Sequence, residues 1–187
     1  MNTSDPAPNA AQTHYQVRFG RGESALETVA RLADVAIWVD ALPDVPAAGQ
    51  PLAERVTPEL HGVQVIHADL RTRSAAAGWM LEQQVLAGDR VSVAVIAADD
   101  TVEDTLAAGA VIDALAARGI DFASPEAAVA CASFTGLERA VGHLLTASVA
   151  GRSLVAAGHA VVVADASEID AEGPGASGID SEPTVVA

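Results

Sequence analysis

The sequence predicts an α/β fold, a layered α/β/α arrangement around a mixed, largely parallel sheet. Three observations predict it. Short apolar runs alternate with longer helical segments along the chain. Gly, Pro and Ser stand where strands and helices should begin or end. Ala and Val dominate an apolar half of the chain in which aromatics make up only 3%, and small side chains favour helices packed closely on a sheet.

Each element follows from its own pattern. Tyr15 to Phe19 alternates apolar and polar residues, the period of a strand. Gly20-Arg21-Gly22 turns the chain into a short helix, Glu23 to Leu32, carrying Leu26, Val29, Ala30 and Leu32. Val35 to Val39 is a continuous apolar strand ending at Asp40. Pro43, Pro46, Gly49, Pro51 and Pro58 make a long irregular connection, and such a loop in a compact domain is either functional or a remnant. Val63 to Ala68 resumes a strand, and Thr72 to Leu86 forms a helix closed by Gly88. Val91 to Ala98 is the next strand, and the helix from Val102 ends at Gly119, suited to a left-handed cap. Ser124-Pro125-Glu126 starts another helix, with an N-cap serine, a first-turn proline and an early acid. Phe134 to Thr146 and Ala147 to Ala157 read as one broken helix or two, and Ala160 to Ala164 as a last strand.

At 187 residues the chain suits one domain. Residues 1–14 read as a mobile leader, 15–170 as the α/β domain and 171–187 as a disordered acidic tail. The formal charge of −15 argues against nucleic acid and anionic membranes as partners, since both attract positive charge. All ten basic residues are Arg. The single Cys131 rules out an internal disulfide and reads as a buried core thiol. No apolar run reaches the ~20 residues of a membrane span, and no signal peptide is read, so a cytoplasmic location is expected. A homo-oligomer is compatible with these features.

The candidate chemistry gathers after the apolar runs. The segment from Asp100 to Leu115 opens a helix with Asp100, Glu103 and Asp104 in its first turn. Carboxylates there complement the helix dipole, but they also lie at the carboxyl end of a strand, where open α/β sheets place their sites. Asp40, Glu103 and Asp104 form the best metal hypothesis, since Mg²⁺ takes a few carboxylate oxygens and keeps several waters. Arg71 and Arg73 lie at a strand-to-helix junction. Arg71 reads equally as an anion-binding guanidinium or a surface charge, Arg73 as a surface charge, and Arg152 as a salt-bridge partner. His61, His67, His143 and His159 show no metal-ligand spacing, and neither a Gly-x-Ser-x-Gly elbow nor a Walker loop occurs.

Several of these segments resemble the 2-phosphosulfolactate phosphatase family. Glu103-Asp104-Thr105-Leu106-Ala107-Ala108-Gly109-Ala110-Val111-Ile112 is similar to its Glu-Asp-x-x-Ala-Ala-Gly-Ala-Ile run. Leu70-Arg71-Thr72-Arg73-Ser74-Ala75 resembles its Leu-Arg-Asn-Ala-Ser-Ala segment, and Ser148 to Gly158 carries its Ser-x-x-Gly-Arg-x-Leu-x-x-x-Gly pattern. The resemblance implies a Mg²⁺-dependent phosphatase acting on a small anionic phosphomonoester, with Asp40, Glu103 and Arg71 as catalytic residues. The chain is shorter than the family's members. It lacks their Asn-Gly-Ser/Thr turn, and Asp99 replaces a glycine. Those departures raise a second expectation, a shortened non-catalytic relative that binds or scaffolds. A small module binding a nucleotide at the Asp40 edge is a third, without a glycine fingerprint behind it.

Overall fold

Four five-residue strands, β1 (Val17–Arg21), β2 (Val35–Val39), β3 (Gln64–Ala68) and β4 (Val93–Ala97), form one sheet in the order β1-β4-β2-β3. The computed structural model describes residues 12–47, 50–53 and 56–171. Every pairing is parallel, and the register aligns Arg21 with Ala97, Ala97 with Val39, and Val39 with Ala68. All four strands therefore end in one row. Asp40, Asp69 and Ala98, each one residue further on, lie along a single edge. β2 and β4 are interior strands and buried throughout, which explains their unbroken apolar runs.

The helices divide between the two faces. Val17, Phe19, Val35, Ile37, Val39, Ile66, Ala68, Val93, Val95 and Ala97 point into the larger core. There they meet α2 (Arg73–Ala87), α3 (Val102–Ala116), α4 (Pro125–Leu137), α5 (Val141–Ala147), α6 (Val149–Ala156) and α7 (Ala160–Ala166). The alternate residues Ala36, Trp38, Ala94 and Ile96 face a thinner layer. It is built from α1 (Ser24–Thr28), the 3-10 turn Ala30–Leu32, and Leu60 of the long connection. This is the expected α/β layered fold, with a sheet that is purely parallel rather than mixed.

Capping sets the helix boundaries. The Thr101 hydroxyl accepts from the Asp104 amide at 3.2 Å, Ser124 from the Ala127 amide at 3.1 Å, and Ser148 from the Gly151 amide at 3.0 Å. Gly88 ends α2 with φ 65°, a conformation glycine adopts at no steric cost.

Three expectations change. Residues 160–164 are helix, not strand: Val163 and Ala166 are buried three apart while Val161 is exposed. A short β-branched run carries no periodicity of its own, and the reversal at Gly158 brings it back onto α5 and α6. Residues 12–14 belong to the folded body. The Gln12 amide donates to the Phe19 carbonyl and accepts from the Phe19 N–H, both at 3.0 Å, and His14 packs edge-on against Phe122. Cys131 is half-buried at the rim of a cavity of about 330 Å³ with Ile112 and Ile120, not sealed in the core. The calls on residues 1–11 and 172–187 lie outside the described residues.

α3 sits between the sheet, α2 and α4, and its small residues let it do so. Ala107, Ala108 and Ala110 are fully buried, and a Cβ on Gly109 would overlap the Ala130 carbonyl of α4. Gly136, in α4, faces open space. In an unconstrained helix Gly→Ala stabilises by about 1 kcal/mol. Gly136→Ala should therefore raise the melting temperature. Gly109→Ala should lower it, since forced overpacking costs about 1–3 kcal/mol. Thermal denaturation of both variants checks the reversal of sign.

Candidate functional site

The site is built where the strands end. β1 hands the chain on over the thin layer, whereas β4 hands it to α3 on the other face, and Ala41 and Leu42, which follow β2, also pack into the larger core. The neighbouring strands β1 and β4 thus send their chains over opposite faces, and the carboxyl edge at such a point is the usual place for a ligand in open α/β sheets. Asp40 from β2, Asp99 and Asp100 from β4, and the first turn of α3 line this edge.

Asp104 is buried, at 3% exposure, and its carboxylate joins three segments. Oδ1 accepts from the Ala41 N–H at 2.8 Å. Oδ2 accepts from the Asp99 N–H at 3.1 Å and from the Thr101 hydroxyl at 2.9 Å. The residue after Asp40, the end of β4 and the start of α3 are thus tied to one side chain. Burial pushes the Asp104 carboxyl above its ordinary value. The Ala41, Thr101 and Asp99 donors pull it down, and the neighbouring Glu103 charge adds to the rise.

Glu103 differs in one respect. The residue as a whole is buried, at 5% exposure, and no protein group donates a hydrogen bond or forms an ion pair to its carboxylate among the described residues, but its oxygens keep contact with solvent. Solvent contact meets the hydrogen-bonding need that the protein leaves open, so this carboxylate is available to a ligand from outside. Asp40, half-buried, stands beside Ala41 and so beside the Asp104 tie. Sequence reasoning placed Asp40, Glu103 and Asp104 at one edge, and the fold brings them there. Among the described residues no group of three or more His, Cys, Asp or Glu side chains is gathered as for a metal ion.

The arginines fall elsewhere. Arg71 Nη1 donates to the Asp165 carbonyl at 3.0 Å and lies 3.7 Å from Glu168 Oε2. Arg73 is no surface charge: only 15% of its side chain is exposed. It bridges Asp113 at 3.1 Å and Asp170 at 3.0 Å, beneath the Phe134 ring. An arginine among helices finds carboxylates from segments distant in sequence, which local pattern does not show. Arg152 is exposed and forms no ion pair among the described residues, contrary to the salt bridge expected. Its motif is a packing device. Ser148 caps α6, a Cβ on Gly151 would overlap the Leu145 carbonyl, and Leu154 is fully buried.

Two groups escaped the sequence reading. Arg21, the last residue of β1, reaches Thr105 Oγ1 at 3.2 Å and Asp100 at 3.4 Å and covers the Phe19 ring, which puts a cation at this edge. Its position at a strand end before a glycine was the available signal. Asp69 shapes the β3–α2 turn by accepting from the Arg71 and Thr72 amides at 2.9 and 3.1 Å and from the Thr72 hydroxyl at 2.9 Å. Its spacing to Thr72 was the cue.

No known family matches the chain, and no curated protein matches it in sequence.

The Asp104 environment has a pH signature. Its folded pKa is raised, so the group stabilises the fold fully below its unfolded value, and that contribution is lost as pH rises through the folded pKa. The stability difference between wild type and Asp104→Asn should therefore favour wild type most in acid and shrink towards neutrality. Asp104→Ala should be about 1–3 kcal/mol less stable than Asp104→Asn at every pH, because the buried Ala41 N–H loses its acceptor. Urea denaturation across a pH series checks both.

Proposed function

We propose that this protein is a Mg²⁺-dependent phosphatase of small phosphomonoesters, of the 2-phosphosulfolactate phosphatase type. The reading rests on one observation above the rest: the Glu103 carboxylate, at the sheet edge that carries Asp40, is engaged by no protein donor among the described residues and stays open to solvent. Carboxylates are the ligands Mg²⁺ prefers, and one or two of them suffice when the remaining positions go to water and phosphate oxygens. Asp40 and Glu103 would hold the ion, and Asp104 would hold the backbone that carries Asp40.

Mg²⁺, when bound, supplies charge that offsets the phosphoryl oxygens and orients the attacking water. The chain's own groups do the rest. Asp104 fixes Ala41 against the start of α3, so the ends of β2 and β4 keep their spacing. Arg21, at the β1–β4 end, brings positive charge to an otherwise acidic edge, whereas the Arg71 charge at the β3–α2 junction is met by Glu168. In a chain of net charge −15, such a local cation is what allows an anionic substrate to approach.

A second reading is a non-catalytic relative that binds or scaffolds. Two observations favour it: both Asp104 oxygens are taken by protein donors, and Arg71 is engaged by Asp165 and Glu168.

A panel of phosphomonoesters, assayed with and without Mg²⁺, separates the two. The phosphatase reading expects Mg²⁺-dependent phosphate release that Glu103→Gln abolishes. That change should cost stability only about 0.3–1 kcal/mol, the value of a charge at a helix start. A wild-type protein inert towards the whole panel would favour the scaffold.

A further inference from the structure

The two arginines at the start of α2 face one short segment, residues 165–170, made of the end of α7 and the four residues after it. Arg71 takes the Asp165 carbonyl and the Glu168 carboxylate. Asp170 is held more closely. Its Oδ2 accepts from Arg73 Nε at 3.0 Å, its Oδ1 from the Ser74 amide at 3.0 Å, and its own N–H donates to the Leu70 carbonyl at 3.0 Å. Asp170 is also the one non-glycine residue with positive φ among the described residues, at 53°. A backbone conformation uncommon for a side-chain-bearing residue is adopted where it places a carboxylate between a guanidinium and a helix-start amide.

One oxygen on a guanidinium and a second on a backbone N–H is also how a tetrahedral oxyanion is bound. We infer that residues 165–170 form an internal strap whose Asp170 carboxylate occupies an anion subsite made by Arg73 and the Ser74 amide, with Arg71 alongside. A phosphate or phosphomonoester dianion reaches these groups only by displacing Asp170. The inference rests on the phosphatase reading for the class of anion. Asp113 stays on the Nη1 side of Arg73 and opposes a second negative charge there, which weakens the hold on any incoming anion.

Asp170→Asn removes the competing charge and keeps a side chain that tolerates positive φ. By calorimetry on the full chain, it should bind inorganic phosphate at least tenfold more tightly than wild type, and Arg71→Met in that background should reverse the gain. In wild type, phosphate should speed amide exchange at Asp170 at least tenfold, while sodium chloride of equal ionic strength should not. This second measurement holds even where Asp170→Asn loosens the fold. Equal phosphate affinities for wild type and Asp170→Asn, or an Asp170 amide unmoved by saturating phosphate, would overturn the strap. Tighter phosphate without turnover in any variant would remove the phosphatase reading and leave the strap standing. Turnover with equal phosphate affinities would remove the strap alone.

Discussion

The depth at which α3 lies governs the rest of this structure. Its small residues, Ala107 to Ala110, let the helix sink between the sheet, α2 and α4, and Gly109 sets how near α4 can come. A helix set so deep carries its first turn inward with it. Glu103 and Asp104, which on a surface helix would sit in water and complement the dipole, are buried instead. Burying carboxylates is expensive unless donors meet them. For Asp104 they do: two backbone amides and a hydroxyl converge on it and knit the ends of β2 and β4 to the helix. For Glu103 no protein donor does, and its oxygens keep contact with solvent instead. That asymmetry between adjacent residues links the packing of the core to the chemistry proposed at its edge.

The same logic separates motif from mechanism elsewhere. The Ser-x-x-Gly-Arg-x-Leu pattern near the C-terminus is accounted for by a cap, a close helix approach and a buried leucine, and its arginine is left in solvent. The Ala-Ala-Gly-Ala run is likewise a packing device. Within the resembling segments, the acids before that run and the arginines at the start of α2 are the groups that packing alone leaves with chemical capacity. Those arginines are engaged by carboxylates and carbonyls of the chain itself.

Much of the architecture was legible because it rests on local rules. Val35–Val39 coincides in sequence and structure, and Thr72, Val102 and Ser124 mark helix starts within a residue. The placement of Asp40, Glu103 and Asp104 along one edge followed from strand ends in a parallel sheet, where register fixes neighbours, though the three carboxylates are not gathered into one group among the described residues. The misreadings share a cause: the deciding partner is remote in sequence. Val161 to Val163 have strand-like side chains, but no sheet edge is offered to them. Arg73 looked like solvent charge because Asp113 and Asp170 are brought to it only by tertiary packing. The role of Asp104 as a tie, rather than an open ligand, depends on amides of Ala41 and Asp99 that no side-chain pattern reveals.

If the unengaged Glu103 carboxylate exists to hold a cation, the cation should be found beside it. Manganese substitutes for magnesium at oxygen sites and can be located by its anomalous scattering. Crystals of the full chain soaked in Mn²⁺ should show an anomalous peak at ligand distance from the Glu103 and Asp40 carboxylates, about 2.0–2.3 Å on the scale of such bonds. A featureless map at that edge under saturating Mn²⁺, with Glu103 closed over by protein, would contradict the account.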